Sequence, residues 1–188
     1  MAEDHTPEAF TIVVTDPIPW VQMGERMWMA AKVLAEKLTG ILSLLPIDEP
    51  PVDLRKDPHP PNAFVDPRVD LIWPTALMLG FAAENFVKAA YVKVLGLAEN
   101  GRTVQALPHT LKNHNLVAIA SDTALPFSDS ERELLQRLTP IVQWAGRYAV
   151  PAKATESLNL ALSTNQDLRS MLLIRARVLA FISAGTLM

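Results

Sequence analysis

The stretch from Arg68 to Leu97 constrains the fold most, because its residues would be apolar on nearly every face of a helix. A helix without a polar face needs neighbours on all sides, so this segment is predicted to lie at the centre of a helical assembly. Pro74 lies near its start, where it is expected either to kink the helix or to mark its true first turn. The segment therefore favours an all-α fold built around one buried helix.

Amphipathic segments on both sides of it supply the remaining helices. Apolar residues recur every three or four positions from about Trp20 to Leu45, which predicts a long first helix that is stopped by Pro46. After a turn at "ENGR", the stretch "HTLKNHNLVAIA" predicts a short third helix. The chain is thus expected to form an up-and-down helical bundle of about five helices.

The last two predicted helices carry recognisable start signals. "SDSERELLQRLTPIVQWAGRY" opens with Ser128 three residues before Glu131, the pattern of a capping box, and Pro140 predicts a bend within it. "NQDLRSMLLIRARVLAFISA" is predicted to be capped by Asn165. These two helices are expected to complete the bundle.

Two segments do not fit a helical pattern. "FTIVVTDPIPW" is rich in β-branched residues and predicts a short edge strand or an extended N-terminal arm. Pro46 to Pro67 contains seven of the fifteen prolines and predicts a long, stiff loop after the first helix, which would be functional or wrap the surface. Residues 1–188 show no repeat or domain boundary, so one helical-bundle domain is expected.

Composition narrows the possible partners and locations. A net charge of -3 provides no general attraction for nucleic acid, so any phosphate binding would need a local basic patch. The N-terminus is acidic and lacks the order of a signal peptide, and the apolar run from Leu71 to Ala83 is too short to span a bilayer. A cytoplasmic protein without a membrane partner is the expectation.

Several kinds of catalytic or metal chemistry are disfavoured. The absence of cysteine excludes disulfides, thiolate metal sites and cysteine nucleophiles. The four histidines form no HExxH pattern, which makes a zinc site unexpected, and no Gly-rich phosphate loop or GxSxG elbow is present. The basic residues are scattered, without a DNA-binding motif. No metal and no cofactor are therefore predicted.

Glu84 and Lys88 are the first candidate site residues, because they are charged residues on the most apolar helix. Their i, i+4 spacing places them on one face in the favourable order, with Glu first. One interpretation is a structural ion pair that fixes the helix register, since buried charges must be paired. The other is a polar pocket inside the bundle.

"QWAGRYAVP", from Gln143 to Pro151, is the second candidate site. Arg147 near a helix C-terminus interacts favourably with the helix dipole, so this stretch is interpretable as a helix stop with Trp144 and Tyr148 as packing anchors. Alternatively, Arg147 faces the bundle and clamps an anion.

Three sequence pieces together resemble the HEPN superfamily of helical bundles. They are "AENFVKAAYV" on the apolar helix, "NHNLVAIA" after it, and "WAGRYAVP" at the end of a later helix. Members similar to this chain carry a Glu and a Lys on an early core helix, a Gly-His-Asp-Leu-like helix start, and an Arg-Tyr-Pro-like helix end. The corresponding residues here are Glu84, Lys88, His114, Arg147 and Tyr148.

The resemblance covers Val69 to Pro151, and with the last helix it implies a HEPN-like core of about residues 69–184. The N-terminal arm, first helix and Pro-rich loop, residues 1–67, lie outside it. Asn113 and Asn115 stand where the family pattern has Gly and Asp. The resemblance implies a homodimer, with the five matched residues as candidates for binding RNA, a nucleotide or a protein partner.

The motif of the family's ribonucleases is absent at its expected place. They use an Arg, then four to six residues, then a His, but His114 is the last histidine of this chain. Arg102 and His109 have a suitable spacing, yet they flank a turn upstream of that place, and we interpret the match as chance. The resemblance therefore favours a noncatalytic binding protein, as in a toxin-antitoxin or defence setting. The alternatives are a ribonuclease with a non-standard site of Glu84, Lys88, His114 and Arg147, or a purely structural dimeric subunit.

Overall fold

The structure is a computed structural model that describes residues 14–42, 67–96, 106–145 and 164–184. Within these ranges the regular structure is entirely helical, which confirms the predicted all-α class. The helices are α1 (Pro17–Leu42), α2 (Pro67–Leu95), α3 (His109–Lys112), α4 (Leu116–Asp122), α5 (Asp129–Pro140) and α6 (Thr164–Ser183), and a π-helical segment (Ile141–Ala145) follows α5. Of the predicted loop, Pro46 to Pro67, residues 46–66 lie outside the described residues, and Pro67 is the first residue of α2 instead.

The start of the first helix differs from the prediction. Val14 and Thr15, which belong to the predicted strand or arm, are helical, and Phe10 to Val13 lie outside the described residues. Helix α1 begins at Pro17 rather than near Trp20. Proline suits the first helical position, and the Asp16 carboxylate accepts a hydrogen bond from the Ile18 N–H at 2.8 Å. The Asp16 cap and Pro17 account for a helix that begins earlier than predicted.

Helix α2 is the central element, as its apolar sequence predicts. It contacts α1, α4, α5, α6 and the π-helical segment. Its fully buried apolar side chains are mostly small, with Phe86 as the largest of them. They are Ala76, Leu79, Ala82, Ala83, Phe86, Val87, Ala89, Ala90 and Val92. The helix continues through Pro74, so this proline does not mark the first turn.

The predicted third helix is in fact two short helices. Asn113 has an extended backbone and ends α3, and Asn115 is the N-cap of α4, with its side chain accepting a hydrogen bond from the Ala118 N–H. Asparagine side chains bond to nearby backbone groups in this way and so compete with helix continuation. The break places His114 on a link between two helices rather than within one.

Helix α5 has the predicted capping box at its start. The Ser128 side chain accepts from the Glu131 N–H, and the Glu131 carboxylate accepts from the Ser128 N–H. At the other end, the disturbance expected at Pro140 takes the form of a change from α-helix to π-helix at Ile141. Proline lacks the N–H that an α-helix requires, which is consistent with a change in hydrogen-bond pattern there.

Helix α6 begins at Thr164 and so contains Asn165. The prediction that Asn165 is its N-cap is therefore wrong.

Charged side chains tie α6 to its neighbours. The Arg137 guanidinium binds the buried Asp167 carboxylate through two hydrogen bonds, and this contact raises the pKa of Arg137. Arg175 donates to Glu25 of α1 at 2.7 Å. These contacts fix α6 against both α5 and α1.

Among the described residues, no helix combines the length and the apolar character that crossing a membrane requires.

Candidate functional site

Glu84 and Lys88 form a buried ion pair on α2. The Nζ atom of Lys88 lies 2.5 Å from Oε1 of Glu84, and the two residues are only 4% and 7% exposed. Ala82, Ala83 and Ala90 of the same helix are buried as well. Because both side chains are buried, each charge is stabilised by the other, and an unpaired charge would carry a large desolvation cost.

His114 joins this pair from the link between α3 and α4. Its Nδ1 atom lies 2.9 Å from the same Oε1 atom of Glu84, and 31% of its side chain is exposed. A carboxylate only accepts hydrogen bonds, so the imidazole donates from Nδ1 and its ring orientation is fixed. In the Glu84–Lys88–His114 cluster the ion pair is therefore buried, and the imidazole of His114 is partly exposed to solvent.

The backbone that carries His114 is held on both sides. Oδ1 of Asn113 accepts from the Asn115 N–H at 2.9 Å, and Oδ1 of Asn115 accepts from the Ala118 N–H at 3.1 Å. The Leu116 N–H donates to the Thr139 hydroxyl of α5 at 3.2 Å. Asn115 thus provides the N-cap of α4.

Trp20 of α1 also contacts the cluster, although the sequence analysis did not identify it. The Lys88 ammonium lies 5.6 Å from the centre of the Trp20 ring, within the range of a cation–π interaction. Trp20 packs beside a small buried group formed by Val14, Val92 and Leu111. No spacing rule connects Trp20 with Lys88, so only the packing of α1 on α2 reveals this contact.

The structure brings together three of the five predicted site residues. Arg147 and Tyr148 lie outside the described residues, as does Arg102. His109 is exposed on α3 and makes no contact with the cluster in the described structure. Within the described ranges, no group of three His, Asp or Glu side chains is placed to hold a metal ion.

The chemistry of the cluster follows from its charges and exposure. Glu84 and Lys88 neutralise each other below the surface, so an anion approaching His114 meets no net negative charge from the pair. His114 is the member that a ligand can reach. A protonated imidazole carries a positive charge, which attracts an anion.

Comparisons with protein-family models, with curated proteins and with solved structures found no match for this chain.

Proposed function

We propose that this protein is a HEPN-like helical bundle that binds RNA or a nucleotide at His114 without cleaving it. The observation that supports this proposal most is that Lys88 of α2 and His114 of the α3–α4 link contact the same carboxylate oxygen of Glu84. These are the residues that the family resemblance predicts to act together. An imidazole oriented by a buried carboxylate is suited to contact a phosphate oxygen.

A second candidate function is ribonuclease activity, and one contact favours it. The hydrogen bond from His114 Nδ1 to Glu84 is the arrangement in which a carboxylate orients a histidine for proton transfer. Against it stands the absence of any histidine after Arg147, which removes the family's usual catalytic pair. We therefore place binding first and treat cleavage as an outcome to be tested.

Binding is tested with fluorescein-labelled, mixed-sequence single-stranded RNA and, in competition, with AMP and ATP. We expect saturable binding that His114→Ala weakens about tenfold, because one charge-assisted hydrogen bond is worth about 1.5–3 kcal/mol. His109→Ala is the matched control, since His109 is exposed and, within the described structure, its side chain forms no hydrogen bond or ion pair with the cluster. Equal affinities for wild type and His114→Ala would remove His114 from the site. Absence of any binding would favour a protein partner or a purely structural role.

The same RNA, incubated with the protein with and without a chelator, is expected to remain intact. General acid–base catalysis near neutral pH most often needs a histidine paired with a second group, and the motif that supplies it in the family is absent. Cleavage that is lost in His114→Ala and retained in His109→Ala would instead establish the ribonuclease alternative.

We also propose that the protein is a homodimer. The family resemblance implies it, and large apolar side chains on α1 and α6 are exposed in a single chain, which a second copy would cover. They include Met29 at 55%, Val33 at 62%, Leu172 at 48% and Leu173 at 52%. Sedimentation equilibrium at micromolar concentration is expected to give twice the monomer mass. A monomer at every concentration would contradict the proposal.

A further inference from the structure

A cleft lies where α4 turns into α5, and none of its lining residues belongs to the Glu84–Lys88–His114 cluster. Its volume is about 480 Å³, within the range of small-molecule sites. The lining comes from α4, from the loop that follows it and from the first turns of α5. All of this segment belongs to the described residues.

The cleft has an apolar floor. Phe127 and Leu135 are 5% and 0% exposed and are part of the main hydrophobic core, so the floor is fixed by the packing of the bundle. Val117 and Leu125 form partly exposed apolar walls. Contact of an apolar ligand group with these two walls is favourable by roughly 25 cal/mol per Å² removed from water.

Arg132 is the one charged side chain in the lining. It is exposed, and within the described structure its guanidinium has neither an ion-pair partner nor a hydrogen-bond partner. Ser121, also in the lining, donates its hydroxyl proton to the Val117 carbonyl at 2.9 Å. Arg132 is therefore the side chain that has donors to offer a ligand, and no carboxylate among the lining residues competes for them.

We propose that this cleft binds a small amphipathic monocarboxylate, with its apolar tail between Val117 and Leu125 and its carboxylate on Arg132. The planar guanidinium matches a carboxylate through two parallel hydrogen bonds. A single cation balances a single negative charge, which favours a monocarboxylate over a phosphate dianion. The site is independent of the proposed RNA or nucleotide site, because the two share no residue.

The test uses octanoate, with octanol as an uncharged probe of the same chain length and inorganic phosphate as a headgroup without a tail. In calorimetric titrations we expect octanoate to bind the wild type at one site and octanol to bind more weakly. Arg132→Gln is expected to weaken octanoate binding about tenfold while leaving octanol binding unchanged. Inorganic phosphate is expected not to bind.

Two further variants control the result. Arg26→Gln removes an exposed arginine of α1 and is expected to bind octanoate like the wild type. Ser121→Phe places a large side chain at an exposed position of the lining and is expected to abolish octanoate binding while the helical circular dichroism stays unchanged. Equal binding of octanoate and octanol, equal octanoate affinity in wild type and Arg132→Gln, or no saturable octanoate binding would each overturn the proposal.

Discussion

Replacing Glu84 by glutamine is expected to lower the free energy of unfolding by about 3–5 kcal/mol, the cost of breaking a buried ion pair by removing one partner. Within the described residues, the variant leaves the Lys88 ammonium, 4% exposed, with the Trp20 ring as its remaining charge-compensating contact. Lys88→Met is expected to cost somewhat less, because Glu84 retains the hydrogen bond from His114. Replacing Glu84 is thus expected to destabilise the protein more than replacing Lys88.

The double variant Glu84→Gln, Lys88→Met distinguishes an ion pair that stabilises the fold from a solvent-exposed pair that does not. Removing both charges is expected to cost much less than the sum of the single changes, with a coupling energy above about 1 kcal/mol. Denaturant melts of the four proteins give this value. Additive single effects near zero would contradict the burial of the pair.

A matched control cycle is available on α1. Lys32 and Glu36 have the same i, i+4 spacing on a helix, but Glu36 is exposed and no ion pair joins the two. The cycle of Lys32→Met and Glu36→Gln is expected to give a coupling under about 0.5 kcal/mol, as for solvated helical pairs. The control has the opposite order, with Lys before Glu, and no ion pair, so it gives the coupling that i, i+4 spacing produces without a formed, buried pair.

The sequence was sufficient to predict the elements that local patterns determine. Residue patterns within one segment predict the capping box of Ser128 and Glu131, the central position of α2 and the contact between Glu84 and Lys88. The helix break at Asn113 was missed because the apolar pattern continues across it. Its signal, two asparagines suited to capping just before an apolar run, was nevertheless present in the sequence.

Contacts between distant segments were predictable only in part. His114 was linked with Glu84 through the family resemblance, whereas no spacing rule brings residues of α2 and the α3–α4 link together. Trp20 and the cleft beside Arg132 had no sequence signal at all. Both depend on how helices pack against each other, and helix packing angles vary with the side chains at the contact.

Gly80→Ala is the second substitution with a large expected effect. A Cβ atom at this position of α2 would lie 2.7 Å from Cγ1 of Val142, in the π-helical segment. Val142 is 1% exposed and β-branched, so it has little freedom to move aside. We expect the free energy of unfolding to fall by about 1–3 kcal/mol, even though alanine favours a helix over glycine by about 1 kcal/mol.

Gly40→Ala is the control, because a Cβ atom there meets nothing within 4 Å, and the same helix preference should raise stability by up to about 1 kcal/mol. Urea melts of both variants therefore give effects of opposite sign if α2 packs closely on the π-helical segment. In Gly80→Ala, Val142→Ala the clashing methyl group is absent, so the double change is expected to cost less than the sum of the single changes. A stabilised Gly80→Ala variant would mean that the chain after Pro140 does not pack against α2 at this glycine.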